Sequence, residues 1–391
     1  MIPRLVQNEV ISDLKQDTKT VIILGARQVG KTTLVKEIER KFTEKQKKAL
    51  YLNCDIEEQK KVVNTTSIAL LTQLLQNIEV LFIDEAQRLD NPGLTIKIIH
   101  DNFPNIKILV TGSSSFELQN KLSDPLTGRI FNFTLYPLSF REILNYQYED
   151  ENIALLKQQA DALIPSVLTY GLYPAVYQEN DPLKKQRLLA QITESYLFKD
   201  ILSFQKVRNS QAIQNLARAL AYQIGSEVSE TELASRLGID RKTVSSYIDI
   251  LEQAFVVIRL TPHSKNPRRE IGGKYKVFFL DLGIRNALIG DFNDPAIRSD
   301  RGFLWENFLI LERMKAYANE NKQLLHYNFW RNYDGAEVDY LEKPLSGALQ
   351  AYEFKYKDGN VSRGANTFIT EYKTSVTVIN QENYLDFIST V

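Results

Sequence analysis

A stretch near the amino end of the chain has the residue types and spacing of a phosphate-binding loop. The apolar run Val21-Ile22-Ile23-Leu24 predicts a buried strand, and the residues after it follow the spacing G-x-x-x-x-G-K-T. Glycines allow backbone N–H groups to turn inwards as an anion-binding concavity, to which a helix N-terminus adds partial positive charge. We therefore expect a nucleotide to be bound by Gly25, Ala26, Arg27, Gln28, Val29, Gly30, Lys31, Thr32 and Thr33.

Within this loop two side chains have separate expected roles. Lys31 would contact the β- and γ-phosphates, and the Thr32 hydroxyl would bind Mg²⁺. The alternative is a glycine turn before an ordinary helix. A chance match to the pattern is expected in about one per cent of chains of this length, so we favour nucleotide binding.

Two acids follow a second apolar run and complete the predicted site. Val80-Leu81-Phe82-Ile83 predicts a buried parallel strand, which would deliver Asp84 and Glu85 at its carboxyl end. Asp84 is then placed to hold the Mg²⁺ shell, and Glu85 to orient and deprotonate the attacking water. Alone this pattern often marks only a strand end, but its distance from Lys31 fits the same sheet.

Two further residues are candidates for contact with the γ-phosphate. Ser113 ends the strand predicted from Ile106 and could sense that phosphate, with Ser114 nearly as good a candidate. The alternative is a helix N-cap, because Ser115 precedes Phe116-Glu117-Leu118. Arg129 could act as a charge-stabilising finger on its own site or on that of a neighbouring copy in a homo-oligomer. The alternative for Arg129 is an ordinary surface or salt-bridged arginine.

Composition limits the classes of protein to consider. The 391 residues are 43% hydrophobic and 25% charged, which is usual for a globular protein of several domains. A formal net charge of zero restricts nucleic-acid binding to a local patch. One cysteine, Cys54, excludes a disulfide framework, and no apolar run has membrane-spanning length. We expect a cytoplasmic protein with no membrane partner.

The middle of the chain changes in character twice. From about residue 136 to 207 the apolar spacing is helical, which predicts a lid over the nucleotide. Residues 208–265 then show helix, a turn at Gly238, and a helix that begins with Arg241 and Lys242, which predicts a winged helix-turn-helix. DNA would be contacted by Arg241, Lys242 and a basic loop that contains Lys265, Arg268, Arg269, Lys274 and Lys276. The alternative is a packing module between domains.

The last part of the chain carries acids in an order that suggests metal-dependent chemistry. Glu353 and Lys355 share one face of a strand, and Asp339 joins them if two strands pair as a hairpin across residues 342–348. Glu306 of the preceding helix could complete the set. Such carboxylates hold a divalent cation, and the lysine activates water for phosphodiester attack.

The order of these parts resembles a family of AAA-type P-loop ATPases of bacteria and archaea with a C-terminal restriction-endonuclease-like domain of unknown function. The most specific matches are Gly25 to Thr33 and Phe82-Ile83-Asp84-Glu85-Ala86-Gln87. Further landmarks are Thr111-Gly112-Ser113-Ser114, Leu126-Thr127-Gly128-Arg129, Tyr136-Pro137-Leu138-Ser139-Phe140, Gly171-Leu172-Tyr173-Pro174 and Glu337-Val338-Asp339. The first-sensor position is often Asn in AAA proteins, whereas this chain offers serines.

The resemblance implies an α/β fold and a function. We expect an AAA-like P-loop parallel sheet in residues 1–135, a helical lid in 136–207, a winged helix in 208–265 and a nuclease-like α/β domain in 266–391. The implied activity is Mg²⁺-dependent ATP binding and hydrolysis, which we expect to drive DNA-related work. The alternatives are a nucleotide-regulated nuclease and a signalling ATPase whose C-terminal domain is only a binding platform.

Overall fold

The chain folds as two compact units, residues 3–136 and 137–391. The computed structural model describes residues 2–113, 126–148, 153–197, 201, 209–264, 274–322, 324–345, 347–357 and 359–389. Among these residues, no helix is long and apolar enough to cross a lipid bilayer.

The first unit is built on a five-stranded parallel sheet in the order β2-β3-β4-β1-β5. Its strands are β1 (Thr20–Gly25), β2 (Ala49–Asn53), β3 (Val80–Asp84), β4 (Lys107–Ser113) and β5 (Ile130–Thr134). Its helices are α1 (Gln7–Gln16), α2 (Lys31–Thr43), α3 (Glu57–Val63), α4 (Ile68–Leu75) and α5 (Pro92–Asn102). The predicted P-loop-type parallel sheet is confirmed.

The strand order explains the location of the candidate site. Strands β1 and β3 are buried along their whole length, as expected for central strands covered on both faces. Because the sheet is parallel, the carboxyl ends of β1, β3 and β4 lie at one edge and carry Gly25, Asp84 and Ser113. Gly25 is required for packing, since a Cβ there would lie 2.2 Å from the Leu135 carbonyl oxygen.

The second unit begins with helices. These are α6 (Phe140–Gln147), α7 (Ile153–Tyr170), α8 (Pro174–Gln178) and α9 (Pro182–Gln191), followed by a π-helical segment, Ile192–Leu197. Three more helices follow: α10 (Ser210–Tyr222), α11 (Glu230–Leu237) and α12 (Arg241–Gln253). Gly238 ends α11 in the left-handed conformation and Asp240 caps α12, so the predicted helix, glycine turn and helix are present.

A six-stranded mixed sheet forms the rest of the second unit, in the order β11-β10-β9-β8-β6-β7. Its strands are β6 (Val257–Pro262), β7 (Lys276–Phe279), β8 (Leu324–Arg331), β9 (Glu337–Pro344), β10 (Gln350–Phe354) and β11 (Val376–Ile379). Its helices are α13 (Leu282–Ile289), α14 (Arg301–Asn319), α15 (Arg363–Tyr372) and α16 (Tyr384–Ser389). Strands β6 and β7 form the antiparallel hairpin expected of a wing, but β6 also pairs in parallel with β8. The hairpin therefore belongs to the C-terminal sheet and spans the predicted boundary at residue 265.

Two landmark segments have structural roles in the second unit. Gly171 has a φ of +68°, and a Cβ there would lie 2.1 Å from an Asp281 carboxylate oxygen. This buried carboxylate accepts hydrogen bonds from the Leu172 N–H at 2.7 Å and from the Ile284 N–H at 3.1 Å. Burial raises the pKa of Asp281 to about 6. The Gly171 landmark thus anchors the start of α13.

The landmark around Ser139 is anchored in a similar way. Ser139 and Glu142 form a capping box at the start of α6. The Phe140 N–H donates to the Glu312 carboxylate at 2.6 Å, and the Lys315 ammonium donates to Glu312 at 2.7 Å. These contacts are buried, so this landmark is explained by packing of α6 against α14.

Candidate active site

The loop after β1 has the backbone conformation of an anion nest. Gln28 and Gly30 have positive φ values, +62° and +100°, and Lys31 begins α2 directly after them. The buried Lys31 ammonium donates to the Gly25 and Ala26 carbonyl oxygens, each at 2.9 Å. The lysine is therefore held across the mouth of the loop, where a phosphate oxygen could replace a carbonyl.

Asp84, at the end of β3, is the centre of a hydrogen-bond network. Its Oδ2 accepts from the Thr32 hydroxyl at 2.7 Å and from the Tyr51 hydroxyl at 2.7 Å, and its Oδ1 accepts from the Thr111 hydroxyl. Burial, and next the Asp84 carboxylate, raise the pKa of Tyr51 well above its usual value, so its hydroxyl remains a donor. The structure thus brings Thr32 and Asp84 together as predicted.

Glu85 follows Asp84 in a strained conformation. Its φ of +56° is in the left-handed region, which residues other than glycine adopt uncommonly. The Glu85 N–H donates to the Thr111 hydroxyl at 3.1 Å, and the Gln87 side-chain amide donates to the Glu85 carboxylate. The side-chain Oε1 of Gln87 in turn accepts from the Ser113 N–H at 3.2 Å. Glu85 is therefore positioned by both β4 and the turn that follows β3.

The two predicted γ-phosphate contacts are placed differently. Ser113 is buried at the end of β4, paired with Gly25 of the loop strand, so it lies at the correct edge. Ser114 lies outside the described residues. Arg129 precedes β5, and its carbonyl accepts from Thr20 at the start of β1, so it lies at the opposite edge of the sheet.

The side chain of Arg129 is also engaged. Its Nε lies 3.0 Å from a carboxylate oxygen of Asp101, and both side chains are more than a third exposed. The structure therefore does not bring Arg129 to the loop of its own chain, because β1 separates the two edges by six residues. Action on a neighbouring copy stays a prediction.

Three residues that contact the acids had no role in the site predicted from the sequence. Thr111 and Ser113 share one face of β4, but Thr111 is the neighbour of Asp84 because Ile83 pairs with Val110. Tyr51 on β2 and Gln87 after the acids were also missed. The polar Thr111 in an otherwise apolar strand was a usable signal, whereas Tyr51 looked like any half-buried aromatic residue.

The donor set at this edge suits Mg²⁺. The Thr32 hydroxyl and the Asp84 carboxylate are hard oxygen ligands, and they already lie 2.7 Å apart. Magnesium typically takes one or two protein oxygens and fills the remaining positions with phosphate and water oxygens. The residues present therefore fit a magnesium nucleotide.

The predicted metal site in the second unit stays a prediction, and its residues have protein partners in the structure. Strands β9 and β10 do pair as a hairpin, and Glu353 contacts Lys355. However, Glu353 accepts from the Ser362 N–H at 2.8 Å, and Asp339 accepts from the Phe354 N–H at 2.7 Å. No group of three or more His, Cys, Asp or Glu side chains within the described ranges is arranged to hold a metal ion.

Glu306, the helix residue of that predicted site, is paired with a lysine. The Lys276 ammonium lies 3.3 Å from Glu306 and also contacts Glu337. Burial raises the pKa of Glu306 above its usual value, although Lys276 opposes this shift. Burial favours the neutral amine of Lys276, but Glu306 and the neighbouring carboxylates raise its pKa above the usual value. Lys276 therefore places a positive charge beside both acids.

Lys276 also corrects the predicted DNA-binding surface. It is a buried residue of β7 and not part of an exposed basic loop. Lys265, Arg268 and Arg269 lie outside the described residues, and Lys274 is exposed. At the start of α12, Lys242 is exposed, and the Arg241 guanidinium lies 3.0 Å from a Glu230 carboxylate oxygen.

Comparison with protein families assigns the first unit. Residues 17–144 match a family model described as an AAA domain. Residues 162–294 and 301–386 match models described as domains of unknown function, DUF8612 and DUF4143.

Relatives span most of the chain. An uncharacterized protein of Methanocaldococcus jannaschii is 24% identical over 406 residues, which cover 95% of this chain and 87% of the relative. An uncharacterized protein of Haemophilus influenzae is 28% identical over 282 residues, which cover 69% of each chain. A third, from Mycobacterium tuberculosis, is 27% identical and covers 86% of this chain and 70% of its own.

Similarity to solved structures is distant. AMPPCP-bound DnaA from Aquifex aeolicus is 16% identical with a TM-score of 0.29, over 63% of this chain and 86% of that chain. PCH-2 of C. elegans is 15% identical with a TM-score of 0.24, over 62% of this chain and 65% of that chain. These scores are too low to assign the chain to the fold of either protein. The match to the family model and the loop geometry show that residues 17–144 form an AAA-type P-loop domain.

Proposed function

We propose that the first unit binds ATP with Mg²⁺ and hydrolyses it to ADP and phosphate. The observation that carries this proposal is the 2.7 Å hydrogen bond between the Thr32 hydroxyl and the Asp84 carboxylate. It joins the helix that follows the phosphate loop to the acid that ends β3. Both parts of a nucleotide site are therefore assembled at one edge of the sheet.

Each residue of the site has a role that follows from its position. Lys31 exchanges its two carbonyl partners for β- and γ-phosphate oxygens, and the loop N–H groups bind the remaining phosphate charge. Bound Mg²⁺ supplies neutralisation of the charge on the phosphate oxygens. Thr32 and Asp84 would hold the metal, so these residues would fix the orientation of the triphosphate.

Glu85 is the group that takes a proton from the attacking water. Its carboxylate is hydrogen-bonded by Gln87, and its backbone is held by Thr111, so its orientation is fixed before the water arrives. Positioning of water by such a residue accounts for much of catalysis in phosphoryl transfer. Asp84 accepts from three hydroxyl donors and would hold the metal, so Glu85 is the better placed base.

Steady-state turnover of three variants tests the proposal. We expect Glu85→Gln to lower kcat by about 10²-fold or more while nucleotide still binds, because general-base catalysis contributes about this much. Lys31→Ala should abolish measurable turnover. Arg40→Ala is the control, since this exposed arginine on α2 pairs only with surface acids and should leave turnover unchanged. Unaltered hydrolysis in both site variants would refute the proposal.

A second candidate function is DNA contact through the second unit, coupled to hydrolysis in the first. What supports it is the left-handed turn at Gly238 followed by the exposed start of α12 with Arg241 and Lys242. Against it, Arg241 is paired with Glu230 and Lys276 is buried. Any DNA contact would therefore be weak and strongly dependent on salt.

Retardation of duplex DNA at low salt tests this second candidate. Lys242→Ala should weaken binding and reduce the slope of log affinity against log salt by about one, because one phosphate contact is lost. Lys47→Ala, an exposed lysine of the first unit paired with Glu79, is the matched control. Absence of retardation at low salt would instead favour the alternative of a signalling ATPase whose C-terminal domain is a binding platform.

A further inference from the structure

An arginine before the matched AAA domain contacts the phosphate loop. Arg4 precedes α1 and lies outside residues 17–144. Its Nη1 donates to the Val29 carbonyl oxygen at 2.8 Å, and its Nη2 donates to the Tyr136 carbonyl oxygen at 2.8 Å. The guanidinium therefore bridges the loop and the segment that follows β5.

The contact with Val29 determines the direction of a loop N–H. The peptide group between Val29 and Gly30 is planar and trans, so its C=O and N–H point in opposite directions. A Val29 carbonyl held towards Arg4 therefore requires the Gly30 N–H to point away from Arg4, to the opposite side of the loop. Gly30 has a φ of +100°, and a Cβ there would lie 3.7 Å from Arg4 Nη1. This is the orientation that an anion nest needs.

The contact with Tyr136 holds the Arg4 guanidinium against a segment that is itself fixed in place. Leu135, the preceding residue, donates its N–H to the Leu24 carbonyl at 2.7 Å, and its own carbonyl lies against Gly25. The segment after β5 is thus attached to the strand from which the loop emerges. A planar guanidinium can span two carbonyl oxygens in a defined geometry, which a lysine ammonium on a flexible stem does less well.

We propose that Arg4 is a positioning residue that orients the Val29–Gly30 peptide group so that the Gly30 N–H binds nucleotide phosphate. The inference rests on the proposed nucleotide binding by the first unit, and it extends the binding site to the segment before the matched AAA domain. Arg4 itself need not touch the nucleotide. Arg4 therefore strengthens the binding of phosphate, and it does so to the same extent in the ground state and in the transition state.

The test is the affinity of the full chain for two ligands that are not hydrolysed, ADP and inorganic tripolyphosphate, measured by displacement of a fluorescent ADP analogue. We expect Arg4→Ala to weaken both by about tenfold, since a hydrogen bond to a charged group is worth about that factor. Arg4→Lys should weaken both by about threefold. The two ligands should lose the same factor, because the lost contact is to phosphate. KM for ATP should rise with kcat unchanged.

Arg40→Ala is the control and should change each affinity less than twofold, because its ion pairs are exposed. Thermal unfolding of each variant shows whether the fold is kept. If Arg4→Ala does not fold, the affinities of Arg4→Lys for the two ligands test the inference. If the Arg4 variants bind both ligands as tightly as the wild type, the inference is overturned but the proposed function is not. Full recovery in Arg4→Lys would also overturn it, since charge and not the bridge would then suffice. A wild type that binds neither ligand would remove the proposed function as well.

Discussion

At the scale of single residues, Asp84 shows how the site is prepared before any metal binds. Its two carboxylate oxygens accept from Thr32, Tyr51 and Thr111, so a fully buried acid carries no unsatisfied oxygen. Burial of an ionised carboxylate is costly unless hydrogen bonds compensate for the lost water. The network therefore stabilises the charge that Mg²⁺ later uses.

Substitution of Thr111 tests this network. Thr111→Val keeps the shape but removes the donor to Asp84 and the acceptor for the Glu85 N–H. We expect a loss of about 1–3 kcal/mol in the free energy of unfolding, because buried polar groups lose their partners. kcat should also fall, because Glu85 is no longer fixed. Thr111→Ser, which keeps the hydroxyl, is the matched control in denaturant unfolding and turnover assays. A valine variant indistinguishable from the serine variant would contradict this account.

At the scale of elements, Lys276 on β7 and Glu306 on α14 form a buried ion pair. Lys276→Met keeps the length of the side chain but leaves Glu306 without its cation. Removal of one partner of a buried pair typically costs about 3–5 kcal/mol. We expect a loss of this size in denaturant unfolding followed by tryptophan fluorescence, since both tryptophans, Trp305 and Trp330, are buried in the second unit.

The double variant Lys276→Met with Glu306→Gln serves as the control for that experiment. Because the double variant also removes the unpaired Glu306 carboxylate, it should recover part of the lost stability. Equal stability of the single variant and the wild type would show that the pair does not balance the buried charge.

The buried Asp281 predicts a pH dependence of stability in the second unit. Its pKa in the folded chain is raised to about 6 from 3.8, so the folded state holds a proton that the unfolded state has released. The resulting stabilisation is complete below about pH 4 and is lost as the pH rises through about 6. A shift of about two units corresponds to about 3 kcal/mol.

Comparison with Asp281→Asn isolates this effect from other acids. Between pH 4 and 7 the stability of the wild type relative to the variant should fall by about 3 kcal/mol in fluorescence-detected unfolding. A difference that is independent of pH, or that grows as the pH rises, would be inconsistent with a protonated Asp281.

The sequence predicted helices and strands better than it predicted the side-chain contacts between them. Apolar runs and glycine spacing were sufficient for β1, β3 and the loop. The pairing of β9 with β10, which the sequence offered only as a condition, is present. Such patterns could not place Lys276 beside Glu306, because that contact joins residues 30 positions apart through packing. The short helix Glu57–Val63 was missed because charged residues dominate it.

At the scale of the whole molecule, the chain divides into an AAA-type unit and a larger unit whose helices and mixed sheet share a continuous sequence from residue 137. The boundary between the two units lies at residues 136 and 137, just after β5, where the parallel-sheet pattern of the sequence ends. The inclusion of β6 and β7 in the C-terminal sheet was not predictable, because the order of strands depends on long-range pairing that local sequence does not specify. The predicted winged helix and nuclease-like domain accordingly stay predictions.

The central claim is that the loop amides and Lys31 bind a triphosphate, and titration calorimetry with ATP in magnesium buffer tests it most directly. Loss of the Lys31 ammonium removes a charge-assisted contact to phosphate. We predict one ATP bound per chain by the wild type and by Glu85→Gln, and no measurable heat of binding for Lys31→Ala. No binding by the wild type, or equal binding by Lys31→Ala, would contradict the account.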